Sequence, residues 1–306
     1  MRCMVTGGAG FIGSHVARAL KEEGHEVLVV DDLSFGKREN IPEIDLEVVD
    51  IRDEKIHGIF RDFSPHYVFH LAAQIDVRRS LKEPEVDAAI NILGTLNLIK
   101  ASISTGAEKF IFASTGGAIY GAVENATEES PPRPECPYGV AKLTCEHYLR
   151  NFYLWEGLPF TALRLANVYG PRQEPRGEAG VVAIFSLHIK ENKRPKLFGY
   201  GSLIRDYVYV EDVVRAFILS MGKGDGEIIN IGTGKKTTNG ELWELMKKLS
   251  GTQLEPILEE KKKGEIDFYS LSIEKAKRVL GWEPQYSLEE GLKRTLEYFG
   301  VCTRVQ

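Results

Sequence analysis

The stretch Val5-Thr6-Gly7-Gly8-Ala9-Gly10-Phe11-Ile12-Gly13-Ser14-His15 decides the fold. It follows an apolar run at residues 2–6 and opens a segment, residues 12–23, whose apolar side chains recur at three-and-four spacing, as on one face of a helix. Gly7, Gly10 and Gly13 stand three apart. A strand that turns tightly into a helix and lets its backbone approach a pyrophosphate needs small residues in this pattern, and the free N–H groups of the helix start then face the phosphates. Glycine spacing alone also suits a purely structural turn, so the surroundings decide. A second apolar, β-branched run at residues 26–30 ends on Asp31 and Asp32, where a carboxylate is expected to accept from the adenosine ribose hydroxyls and to repel a 2′-phosphate. Asp31 is assigned that contact, which predicts NAD rather than NADP, although Lys37 and Arg38 close by keep NADP open.

Outward from this turn the pattern repeats. Short apolar runs at 46–49, 67–71, 109–113 and 160–165 alternate with helical segments at 87–104 and 138–156. That alternation predicts an α/β fold with a doubly wound parallel sheet of the Rossmann type. Right-handed crossovers place every strand's C-terminal end on one edge, where ligands of such folds bind. Beyond residue 165 the regularity breaks at a Pro/Gly-rich stretch, 169–180. Runs at 207–210 and 228–231, with a helix at 213–221 between them, are expected to return to the main sheet. The expected division is a cofactor domain of residues 1–168 plus about 207–232, with a smaller interleaved C-terminal substrate lobe of about 169–206 plus 233–306.

A chain of 306 residues, 43% hydrophobic, is long enough for one sizeable core plus a lobe, which excludes general disorder. The 39 basic against 44 acidic residues give a net charge of −5, so no overall positive field draws nucleic acid or anionic membrane, and an anionic substrate must be held by local groups. Cys3, Cys136, Cys145 and Cys302 lack Cys-x-x-Cys spacing, which predicts neither metal site nor disulfide and fits a reducing compartment. The start of the chain runs into an apolar strand without a signal-peptide layout, and no stretch is expected to approach the ~18 apolar residues of a membrane span. A cytoplasmic protein is the expectation.

Chemistry enters at Pro137-Tyr138-Gly139-Val140-Ala141-Lys142. Tyr138 and Lys142 are four apart at a helix start, hence on one face. A phenol is a poor base at neutral pH, but an adjacent ammonium and a helix N-terminus favour the phenolate, so Tyr138 is a candidate to take a proton from an alcohol while hydride leaves the same carbon. The hydroxyls of Ser114 and Thr115, at the end of the fifth strand, are candidates to contact the same reacting oxygen.

These motifs resemble the extended short-chain dehydrogenase/reductase family. His70-Leu71-Ala72-Ala73, Asn91 with Gly94-Thr95, Asn167-Val168-Tyr169-Gly170-Pro171-Arg172 and Arg205-Asp206-Tyr207-Val208 extend the likeness over nearly the whole chain. Within the family the chain looks most like the UDP-glucose (UDP-galactose) 4-epimerases, notably in Ser114-Thr115-Gly116-Gly117-Ala118-Ile119-Tyr120-Gly121 and Gly177-Glu178-Ala179-Gly180-Val181-Val182. The resemblance implies bound NAD, loss of hydride from C4 of a UDP-sugar as Tyr138 takes the O4 proton, and return of hydride to the other face of a transient 4-keto sugar. It also implies cofactor contacts from Gly7, Gly10, Phe11, Ile12 and Gly13, from Asp31 and Asp32, from Asp50 and Ile51 beside the adenine, from Leu71, Ala72 and Ala73 on the pyrophosphate side, and from Asn91, Tyr138 and Lys142. Asn167 and Arg205 are implied to hold the substrate phosphates, a role suited to arginine's fork of donors, while Val181, Val182 and Phe198 lie near the uracil. Helices 87–104 and 138–156 are implied to form a homodimer.

Three departures bear on substrate and chemistry. Gly116 stands where well-known epimerases have Ser or Thr, leaving Thr115 as the substitute. Gly116 and Gly117 also replace the Asp-Glu pair of nucleotide-sugar 4,6-dehydratases and the Glu of UDP-glucuronate decarboxylases, which removes an acid/base pair for eliminating water. Lys262-Lys263-Gly264-Glu265 stands in place of Arg-x-Gly-Asp, so Lys262 offers the diphosphate a point charge rather than a fork, with Glu265 beside it. Tyr269 occupies the position that in relatives limits the 2-substituent of the hexose, which predicts UDP-glucose and UDP-galactose over their N-acetyl forms. UDP-GlcNAc and UDP-glucuronate 4-epimerases and decarboxylases are the nearest alternatives. Fold alone never fixes function, and retention of both Tyr138 and Lys142 speaks against a non-catalytic NAD sensor.

Overall fold

The computed structural model describes residues 1–175, 180–262 and 266–303. Seven parallel strands form its centre: β1 Arg2–Thr6, β2 Glu26–Asp31, β3 Asp45–Val48, β4 Tyr67–His70, β5 Lys109–Thr115, β6 Phe160–Leu165 and β7 Glu227–Ile231. Their order is β7-β6-β5-β4-β1-β2-β3. Inner strands such as Phe160–Leu165 are buried along their whole length, because helices cover both faces and leave no solvent side on which to place polar residues. The chain winds outward from β1 to β3 and then returns to set β4 beside β1, with Thr6 opposite His70. That reversal opens a crevice at the C-terminal edge between β1 and β4, the usual ligand position in such sheets.

Of the two late runs expected in this sheet, residues 228–231 join it as β7 beside β6. The other does not: Tyr207–Tyr209 pairs in parallel with Asn167–Tyr169 in a separate two-stranded ladder. Asn167 follows the end of β6 after a single intervening residue, so this ladder carries the chain out of the sheet toward a separate apolar cluster, where Phe185 and Trp243 meet edge to face with ring centroids 5.5 Å apart. Helices Val181–Lys190, Asn239–Ser250 and Leu288–Tyr298 enclose that cluster, the last two each opened by a capping box.

Pro84–Thr105 is a continuous helical run of 22 residues, long and apolar enough by composition to span a membrane, contrary to the expectation that no stretch approaches this. Glu85, Asp87, Asn91, Asn97 and Lys100 interrupt its apolar pattern in sequence without bringing its mean hydropathy below that of a spanning segment. In the fold, 44% of its most apolar stretch is buried, and the run lies beside helices Lys55–Phe63 and Pro137–Glu156, with Leu98, Ile99 and Ala101 in the apolar cluster against the sheet. A π-turn at Ala89–Leu93 interrupts it.

Candidate active site

The first turn is shaped by contacts that exclude side chains. Gly7 sits at φ 69°, and a Cβ there would lie 2.6 Å from the backbone nitrogen of Ala72, which brings the turns after β1 and β4 into direct apposition. A Cβ on Gly13 would overlap the carbonyl of Gly7, so the helix can begin this close to the strand only without one. Below them His70 is fully enclosed: Thr95 donates its proton to Asn91 O (2.5 Å), so the ring donates from Nε2 to Thr95 Oγ1 (2.8 Å) and accepts from Thr6 at Nδ1 (2.7 Å). Burial drives the pKa of His70 well below its ordinary value, which fixes this neutral relay under the turn.

Asp31 ends β2 with its carboxylate accepting from Ala9 N and Leu33 N, both at 2.9 Å. Burial raises its pKa and the two N–H donors pull it back. Asp32, exposed, caps its own turn through Ser34. The two cations that left NADP open are engaged elsewhere: Lys37 pairs with Glu174 at 2.5 Å, and Arg38 donates to the carbonyls of Ile44 and Pro42. Asp50 is held by Arg52, and Ile51 is buried against Gly94. Asn91 is turned inward, donating to Gln74 O and Asp87 Oδ1. A glycine cradle with a carboxylate at the end of β2 and with Lys37 and Arg38 both engaged fits NAD; Phe11, Ile12, Leu71, Ala72 and Ala73 are half-buried in the two turns that meet there.

Across the crevice, Ser114 and Thr115 end β5, and Tyr138 and Lys142 lie on helix Pro137–Glu156. Gly139 rests on the carbonyl of Ala118, so the start of that helix sits directly on the turn that follows β5. Lys142 is buried, donates to Ala113 O at 2.9 Å and lies 4.6 Å from the centre of the Phe112 ring. Burial lowers its pKa to about 8, against the pull of Cys145, Asp87 and Glu146. The phenol of Tyr138 shifts upward instead of downward as the sequence suggested: desolvation dominates, and Cys136 and Asp87 add to it.

Ser114 turns away from the role expected of it. Its hydroxyl donates to Glu146 Oε1 at 2.5 Å, and Glu146 forms a buried ion pair with Arg164 on β6, Oε2 to Nη2 at 2.6 Å. Arg164 also donates to the Tyr120 hydroxyl, which donates to Asn230 on β7. This network, absent from the sequence reading, ties the turn to three strands and the helix. Two signals for it were visible: a lone charge inside the apolar run 160–165, and an acid four residues beyond Lys142. Thr115, half-buried, accepts a long contact of 3.5 Å from Ala118 N and no shorter one among the described residues.

The third group lies on the lobe side. Asn167 accepts a hydrogen bond from the hydroxyl of Tyr269, and the Arg205 guanidinium stands 5.9 Å from the Tyr269 ring centre. Between Arg205 and Tyr207, Asp206 is wholly buried and accepts from Thr233 N and Oγ1, Gly234 N and Leu271 N. Lys262 reaches over the Phe198 ring, 3.7 Å from its centre. Val182 is spent on the lobe core, whereas Val181 stays half-buried at its margin. Glu265 lies outside the described residues.

With this geometry, comparison with known proteins is direct. The profile of the NAD dependent epimerase/dehydratase family matches residues 3–232. The chain belongs to this family. A solved UDP-glucose 4-epimerase from Thermotoga maritima, with UDP-glucose, is 51% identical with a TM-score of 0.96, covering 98% of this chain and 99% of that one. The enzyme of the same name from Thermus thermophilus, in complex with NAD, is 42% identical with a TM-score of 0.93 over 98% and 99%. A UDP-N-acetylglucosamine 4-epimerase from Methanobrevibacter ruminantium, in complex with UDP-N-acetylmuramic acid, reaches 33% identity and a TM-score of 0.93 over 97% of each chain. This family member is an NAD-dependent epimerase of the extended short-chain dehydrogenase/reductase type, and it acts on nucleotide sugars.

Proposed function

We propose that the enzyme interconverts UDP-glucose and UDP-galactose by epimerising the sugar at C4. One observation carries this choice of reaction: the turn against which Tyr138 and Lys142 are seated bears no carboxylate, and its two glycine positions are filled by the apolar side of Leu271 and the ring of Tyr269. Elimination of water needs a positioned acid and base. Exchange of a proton and a hydride at a single carbon needs neither beyond Tyr138.

In this reading Tyr138 Oη takes the O4 proton and returns it, while Lys142 supplies the counter-charge to the phenolate that desolvation alone disfavours. Thr115, whose hydroxyl lacks a short partner among the described contacts, holds the reacting oxygen; Ser114 acts one step behind it through Glu146. Arg205, Asn167 and Lys262 receive the diphosphate, Val181 and Phe198 the uracil with Val182 packed behind them in the lobe core, and Tyr269 the face of the hexose that carries the 2-substituent. Gly7, Gly10 and Gly13 with Phe11 and Ile12, the carboxylates of Asp31, Asp32 and Asp50, and Ile51, Leu71, Ala72 and Ala73 would hold NAD, which when bound supplies the exchange of hydride, while Asn91, its amide committed to Gln74 and Asp87, supports them from behind. The C-terminal segments form the substrate lobe. A homodimer through helices Pro84–Thr105 and Pro137–Glu156 completes this reading, and the half-exposed Leu93 and Val140 on them support it.

The test is to incubate the enzyme with UDP-galactose and separate the products. A product of unchanged mass that co-elutes with UDP-glucose is expected, with turnover falling ~10²- to 10⁴-fold in Tyr138→Phe. Loss of water or carbon dioxide, or undiminished turnover without the phenol, defeats the proposal. Equal rates on UDP-GlcNAc would remove the preference assigned to Tyr269.

A further inference from the structure

The two glycines of the turn after β5 are filled from a distant part of the chain. A Cβ on Gly116 would lie 2.7 Å from Cδ1 of Leu271, and one on Gly117 would lie 2.8 Å from Cε1 and Cζ of Tyr269 and 3.2 Å from its hydroxyl. Leu271 is completely buried and Tyr269 nearly so. Both sit on the strand Tyr269–Leu271, which pairs in parallel with Val123–Ala126, Tyr269 opposite Val123 and Leu271 opposite Ala126. The segment leaving the turn is therefore hydrogen-bonded to the strand that fills it. Tyr269 is tethered a second time through its hydroxyl to Asn167, and Leu271 a second time through its N–H to Asp206. A ring fixed at both its backbone and its hydroxyl has little freedom to swing clear of a new methyl group.

We propose that Gly116 and Gly117 are positioning residues for substrate specificity: lacking side chains, they admit Leu271 and Tyr269 onto the turn, so that the Tyr269 phenol borders the sugar. The inference rests on the reading above in taking Tyr269 as a wall of the sugar site. It accounts for the missing hydroxyl at position 116, because Ser or Thr there would need the volume that Leu271 occupies. Carboxylates at 116 and 117 would face an aliphatic side chain and an aromatic ring, where their desolvation has no compensation.

A double-mutant cycle on the full-length enzyme tests this, with Gly117→Ala, Tyr269→Ala and the pair, binding of UDP and of UDP-galactose being measured by calorimetry. Gly117→Ala is expected to weaken UDP-galactose about tenfold and leave UDP within about twofold, and in the Tyr269→Ala background to change UDP-galactose binding by less than about twofold. Equal weakening of UDP and UDP-galactose, an undiminished effect of Gly117→Ala without the ring, or no effect in either background overturns the inference. If Gly117→Ala alone does not fold, recovery of folding in the double variant is the expected coupling, and failure to recover overturns it. Wild-type enzyme that binds UDP-galactose without converting it would defeat the reaction proposed above while leaving this cycle readable.

Discussion

At residues 7–13 the missing side chains let backbone meet backbone, Gly7 against Ala72 N and Gly13 against the Gly7 carbonyl. At residues 116 and 117 they let side chains enter, Leu271 and Tyr269 from the far end of the chain. The first turn is rigid because what it touches cannot move, and its partners lie in its own strand–turn–helix unit or in the next strand over. The second is rigid because of what lies beneath it: Ser114, Glu146, Arg164, Tyr120 and Asn230 form a connected buried network. One turn is built by exclusion and the other by occupation, and substitutions should affect them differently.

Glu146→Ala should have the largest effect on stability, since it leaves Arg164 charged and buried without its partner. A loss of about 3–5 kcal/mol in denaturant unfolding is expected, with a smaller loss when Arg164→Met is added, because the stranded charge goes with it. Burial lowers the pKa of Arg164, and in the native protein the adjacent Glu146 carboxylate prevails and raises it; without Glu146 that pull is lost, but a guanidinium starts from so high a value that it stays charged near neutral pH. Equal losses in the single and double variants would mean that the network holds the turn by packing alone. Next comes Gly13→Ala, which forces a methyl group onto backbone rather than onto a side chain. An overpacking cost of about 2–3 kcal/mol is expected, together with loss of NAD from the purified protein, measured by absorbance of the released cofactor. Retained NAD at wild-type stability would show that the first turn yields as readily as the second.

The same contrast explains what the sequence disclosed. Strands β1 and β6 fall where the apolar runs end, and Gly7, Gly13 and Asp31 take the places their spacing requires, because each is determined by residues within one βαβ unit. The pairing of 207–209 with 167–169 instead of with the main sheet was not legible, since a three-residue apolar run carries no record of its partner. Nor was the diversion of Ser114 to Glu146, which depends on Arg164 arriving from a neighbouring strand. Tyr138 shows a different failure: spacing put it at a helix start, as the fold has it, but the sign of its pKa shift depends on how dry the site is, and desolvation, with Cys136 and Asp87 adding to it, raises it. Position followed from local pattern, whereas electrostatic state followed from packing that only the folded chain reveals.

The two hydroxyls that end β5 allow a finer test. Thr115→Val should lower kcat about tenfold or more with little change in unfolding free energy. Ser114→Ala should instead cost about 1.5–3 kcal/mol of stability, the range for a hydrogen bond to a charged group, with a smaller change in kcat. Steady-state kinetics and denaturant unfolding of the same two preparations separate these outcomes. A reversed pattern would return Ser114 to the reacting oxygen and leave Thr115 as the structural member of the pair.

The smallest effect distinguishes the two edges of the crevice by pH. On the cofactor side burial, aided by Arg172, holds the His15 pKa at about 4, so that ring stays neutral as the medium is made alkaline. On the sugar side Lys142 loses its proton at about 8 rather than at its ordinary 10.5. Between about pH 7 and 9 kcat should therefore fall as the Lys142 ammonium is lost, while the already neutral His15 ring contributes no change. The sign for stability is the opposite. Between these two pKa values the unfolded chain holds the proton that the folded one has released, so the penalty for burying the ammonium is relieved, and this group's contribution to stability rises with pH through that window. Lys142→Arg should abolish the alkaline fall in kcat, because a guanidinium keeps its charge there, whatever it costs in absolute rate. Persistence of the fall in that variant would assign the titration to a group other than Lys142; Cys145 on the same helix face is not that group, because burial pushes its thiol above the ordinary value.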